Sequence, residues 1–143
     1  MRHRFALIVF VAAIAIAGHF VRDSLGALPP EAVKRLQDQA PEAVHIETLS
    51  VEADRTTRKG RGVSEYVHVR VVARARIENV IRSAVGFKPG DTIRITYEIG
   101  EPIAGPGYPI ELEPAKRYVA YVQCQRVVEC APAAGSGSFV PRP

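Results

Sequence analysis

The sequence has no tryptophan, one methionine at its start, two cysteines and only 7% aromatic residues. The missing tryptophan argues against an immunoglobulin-like sandwich, which usually buries one at its centre. No P-loop, GxGxxG or G-x-S-x-G pattern occurs, because Gly135-Ser136-Gly137-Ser138 has no helical pattern after it. A phosphate-cradling loop and a nucleophile elbow are therefore both missing. There is no internal repeat and no heptad. No apolar run is long enough to cross a membrane comfortably. The best one, residues 5–17, has thirteen apolar residues and spans only ~20 Å as a helix, against the ~30 Å of a hydrocarbon core.

That run follows Arg2-His3-Arg4 and ends in Ala15-Ile16-Ala17, an A-x-A pattern. A basic n-region, a short h-region and small residues at the cleavage site predict a signal peptide over 1–17. The alternative is an uncleaved leader that tethers the protein to a membrane. Cleavage would remove Arg2 and Arg4 and lower the net charge from +4 to +2. The high isoelectric point thus partly describes the leader and does not by itself argue for nucleic acid, which export also disfavours. Secretion or delivery to the periplasm places Cys124 and Cys130 in an oxidising compartment. There a cross-strand disulfide is the natural reading of C-x5-C, ahead of free thiols or a metal pair.

Residues 18–43 read as an N-terminal segment with a short helix, PPEAVKRLQDQA (29–40). Pro29 and Pro30 suit its start and Pro41 its end. A partly ordered tail is the competing reading. From residue 44 the hydrophobic period changes to two. Val44 and Ile46, then Leu49, Val51 and Ala53, mark a first strand whose parity flips near Glu47-Thr48, a bulge signal. Residues 55–62, RTTRKGRG, read as a basic loop. In the second strand Val67, Val69, Val71, Ala73, Ala75 and Ile77 share one face. Its parity breaks near Glu78-Asn79. Lys88-Pro89-Gly90-Asp91 fits a type II turn, and a third strand follows with Ile93, Ile95, Tyr97 and Ile99 inward. Residues 100–116 are a packed loop rich in glycine and proline. Arg117–Cys124 and Val127–Ala131 are strands four and five, and Phe139-Val140 adds a last strand contact. Five strands in about a hundred residues suit a small barrel, which also removes exposed edges.

Three segments carry a resemblance: VIRSAVGFKPGDTIRITYE (80–98), GPGYPIELEPAKRYVAY (105–121) and CAPAAGSGSF (130–139). In order and spacing they resemble small exported bacterial proteins of uncharacterised function. The strand layout also looks like the OB-fold barrel of netrin-like and TIMP-like domains. The resemblance covers roughly residues 44–140, and its motifs are mostly turn signals. It implies an all-β, five-stranded OB-like barrel over 44–143 with a short peripheral N-terminal helix. Ala115 stands where the pattern has glycine, which points to a different turn geometry there. TIMP-type inhibitors chelate a protease zinc with an N-terminal cysteine. No cysteine precedes Cys124 here, so that activity is not carried over.

Chemistry-bearing residues are sparse. His45 and His68 lie on the polar sides of strands. With Glu47 or Glu65 they would make a metal site only if strands one and two bring them together. Glu111 and Glu113 more simply solvate a face than perform acid–base work. Charge is distributed unevenly. Residues 55–94 hold ten Lys/Arg against three Asp/Glu, whereas the flanking segments are net acidic. His68, Arg70, Arg74, Arg76 and Arg94 share the outward face of strands two and three. Arg55, Arg58, Lys59 and Arg61 lie at one end, with Tyr66 as an aromatic platform. The expectation is a non-catalytic binding module without a cofactor, its basic face meeting an acidic protein, a glycan or an anionic membrane surface. Alternatives are a small metal-dependent enzyme using His45 and His68, a tethered envelope protein, or a solvated face whose arginines pair with Glu65, Glu78 and Glu98.

Overall fold

A computed structural model of the chain describes residues 28–59, 65–101, 108–126 and 128–143. The expected leader and Arg61 lie outside the described residues. Helix α1 spans Pro30–Gln39. Six strands follow: β1 Glu42–Arg58, β2 Tyr66–Ser83, β3 Thr92–Glu101, β4 Arg117–Arg126, β5 Glu129–Pro132 and β6 Phe139–Arg142. The first five close on themselves in the order β1-β2-β3-β5-β4, with β4 returning to β1. Every pairing is antiparallel except that of β3 with β5. This is the closed all-β barrel with a peripheral helix that the alternation predicts. Strand β6 lies outside the ring, alongside the first half of β4.

Alternation decides which face is inside. Val69, Val71, Ala73, Ala75 and Ile77 of β2 are all buried, as are Ile93, Ile95, Tyr97 and Ile99 of β3. Three aromatic rings cluster in the core. Phe139 packs 5.5 Å from Tyr97 and 6.5 Å from Tyr118, centroid to centroid, in tilted and edge-on geometry. Such pairs add to simple area burial.

The parity breaks are bulges. The β1–β2 register slips at three places, leaving Leu49 of β1 and Glu78 and Ile81 of β2 without opposite residues. Each extra residue increases local twist and lets two long strands bend around a small barrel. The strand ends need correction. β1 does not stop before Arg55. Thr56, Thr57 and Arg58 pair with His68, Val67 and Tyr66, so a run read as loop from its charge is strand because β2 supplies its hydrogen bonds. β1 also begins at Glu42, which pairs with Val122 of β4. β4 runs on to Arg126, and β5 covers 129–132.

The turn motifs have structural roles. In the 88–91 turn Asp91 N donates to Lys88 O at 3.1 Å, and Gly90 takes φ 95°, the left-handed position that a type II turn requires. Ser83 Oγ accepts from the amides of Gly86 and Phe87, both at 2.9 Å. Arg82 donates to the carbonyls of Ala40 and Gln37 at the end of α1, a cation where helix carbonyls lack partners. The helix also rests on the turn before β6. Gln37 Nε2 donates to Gly137 O at 2.9 Å, and a Cβ on Gly137 would collide with Val33 Cγ1. Ala115 has φ 58°, so the turn keeps the left-handed geometry of glycine despite the alanine.

Candidate basic strand face

The register of β1, β2 and β3 fixes which outward side chains are neighbours. Arg70 lies opposite Asp54 on one side and Glu98 on the other; Arg74 lies opposite Ser50 and Arg94; Arg76 lies opposite Glu47 and Thr92. The expected cationic face therefore exists, but its charges are not equivalent. Arg76 is ion-paired with Glu47. His68, half-buried, meets Glu98 at 3.0 Å. Arg55 pairs with Glu111 at 2.6 Å and Lys59 with Glu65 at 3.4 Å. Glu78 turns away to Arg117 and Arg142. Of the three carboxylates expected to neutralise the face arginines, none does so. Arg70, Arg74 and Arg94 make no salt bridge among the described residues. Tyr66 sits half-buried at the start of β2, opposite Arg58, away from these three.

Two grooves flank Arg94. One, of about 430 Å³, is lined by Arg70, Arg94, Thr96, Gln123, Gln125 and Glu129, with Cys130 and Ala131. The other, of about 350 Å³, is lined by Arg74 and Arg94 with Ser50, Glu52, Val72, Thr92, Ile93 and Val128. Both volumes fall in the ~300–1,000 Å³ range of small-molecule sites. The first groove lies where β5 meets β3, so its Gln123, Gln125 and Glu129 arrive only through barrel closure. Their signal in the sequence is faint: Gln123 and Gln125 are alternate polar positions on an otherwise apolar strand.

Cys124 and Cys130 are direct register partners of β4 and β5 and form a disulfide with a Cα–Cα distance of 4.0 Å. It ties together β4 and β5, the two strands that line one side of the first groove. The two histidines do not meet. His45 faces Asn79 and Val119, whereas His68 faces Thr56 and Gly100, which is roughly 35 Å further along β1 at ~3.3 Å per residue. Among the described residues no group of three or more His, Cys, Asp or Glu is placed to hold a metal ion, and no helix is long and apolar enough to cross a membrane.

Sequence reasoning passed over Glu42. Its side chain is fully buried, and Oε1 accepts from the amides of Ala84 and Val85 at 3.2 and 3.3 Å, while Oε2 has no partner. This carboxylate fastens the loop after β2 rather than facing the grooves. Comparison with protein-family models, with curated proteins and with solved structures finds no match to this chain.

Proposed function

We propose that the protein is an exported, non-catalytic binding module that takes an anionic partner on its β2–β3 face. One observation carries this reading: Arg74 and Arg94 oppose each other across the ladder, Arg70 lies further along the same face of β2, and none of the three makes a salt bridge among the described residues, although Asp54, Glu98 and Glu129 are cross-strand neighbours. Like charges placed directly opposite destabilise a sheet. A ligand anion that enters the grooves compensates that repulsion and makes charge-assisted hydrogen bonds. For export, the basic and apolar leader pattern and the Cys124–Cys130 disulfide are the support.

The test is retention of the folded chain on an immobilised anion. Replacing Arg70, Arg74 and Arg94 together by serine abolishes salt-dependent retention in this reading. Arg76→Ser, which removes a cation already paired with Glu47, leaves it nearly intact. Equal retention of both variants, with circular dichroism unchanged, rejects the assignment.

A further inference from the structure

The two grooves repeat one set of groups. Each holds two guanidinium groups, one carboxylate and neutral hydrogen-bonding side chains, and Arg94 belongs to both. In the first groove the carboxylate is Glu129, the register partner of Arg94 on β5. In the second it is Glu52, beside Val72 and one alternate position from Ser50. A dense polyanion such as polyphosphate meets repulsion from Glu129 and Glu52. A ligand that carries one carboxylate per unit and several hydroxyls does not. Its carboxylate takes a guanidinium fork, and its hydroxyls donate to the glutamates and exchange hydrogen bonds with Thr96, Gln123 and Gln125.

Resting on the anion-binding reading above, we propose that the ligand is an acidic polysaccharide built of uronate units, with successive units in the two grooves and Arg94 between them. A lipid surface fits less well, because the unpaired guanidiniums line concavities rather than a protruding rim. An acidic peptide supplies carboxylates but few hydroxyls for the groove glutamates and amides.

The experiment titrates the full chain with tetragalacturonate, its methyl ester, inorganic polyphosphate, polyglutamate and phosphatidylglycerol vesicles. Tetragalacturonate binds more tightly than every other probe, and methyl esterification weakens it about tenfold or more, the scale of losing charge-assisted contacts. Glu129→Gln weakens tetragalacturonate and strengthens polyphosphate. Glu52→Gln gives the same opposed pair from the other groove and serves if the first variant does not fold. Should polyphosphate, polyglutamate or vesicles bind at least as tightly as tetragalacturonate, or both glutamine variants strengthen all anions alike, the uronate assignment is wrong while the basic face stands. If no probe binds and retention on an anionic resin does not depend on Arg70, Arg74 and Arg94, both readings fall.

Discussion

Arg74 of β2 and Arg94 of β3 are direct register partners on the outside of the barrel, so two positive charges share one cross-strand site. Favourable cross-strand pairs contribute roughly 0.2–1 kcal/mol, and directly opposed like charges are destabilising. Arg74→Thr, which also suits a strand, should therefore raise the unfolding free energy by about 0.5 kcal/mol at low salt. In 1 M salt the Debye length is ~3 Å and the gain should shrink. Urea unfolding at two salt concentrations checks this. A variant less stable than the wild type at low salt would refute the repulsion.

Ala115 occupies the left-handed region at φ 58°, while its amide donates to Thr48 O at 2.8 Å. An L-residue there costs roughly 1–2 kcal/mol, and glycine gives back part of that through chain entropy, roughly 0.5–1 kcal/mol. Ala115→Gly should stabilise the protein by about 0.5–1 kcal/mol. The denaturation midpoint decides it, and a downward shift counts against the strained turn.

The Tyr97 hydroxyl accepts from Leu112 N at 2.9 Å and donates to Ile110 O at 2.8 Å. Tyr97→Phe orphans both groups and should cost about 1–3 kcal/mol. Burial pushes the Tyr97 phenol well above the ordinary tyrosine range. Because the folded value lies above the unfolded one, this contribution is complete below about pH 10 and is lost as pH rises through the folded value. In a spectrophotometric titration the Tyr97 phenol should ionise at higher pH than a free tyrosine. In Tyr97→Phe that late step should be missing.

Removing the Cys124–Cys130 bond, by Cys124→Ala with Cys130→Ala, should lower stability by about 2 kcal/mol, the loop-entropy value for so short a ring. The local effect is more diagnostic. Arg94 N donates to Val128 O at 2.7 Å beside the β3–β5 pairing, and its hydrogen exchange should accelerate more than that of Val71 in β2. Uniform acceleration across the barrel would show that the bond acts only globally.

The sequence made the barrel legible where burial is one-sided. Six apolar odd positions from Val67 to Ile77 define β2 because a strand exposes alternate residues to opposite environments. The parity breaks likewise revealed the bulges. The end of β1 was hidden because Arg55–Arg58 has the composition of a loop and becomes strand only by pairing with β2. The distribution of ion pairs was hidden for a related reason. Which carboxylate serves which arginine depends on register, and a one-residue slip moves every side chain to the other face. Thus Glu98 meets His68 and Glu78 meets Arg117, leaving Arg70, Arg74 and Arg94 without them. The groove residues Gln123, Gln125 and Glu129 were the least accessible, since they reach Arg94 through a parallel pairing between segments far apart in the chain.

That parallel pairing rests on two register pairs, Arg94 with Glu129 and Ile95 with Cys130. It is the narrowest weld in the cylinder, and the first groove lies across it. A molecule gripping Arg94 on one side and Glu129 on the other would stitch the weld from outside. Occupancy and barrel closure then become a single equilibrium. Whatever loosens β5 should loosen the ligand, and whatever fills the groove should slow the opening of the cylinder.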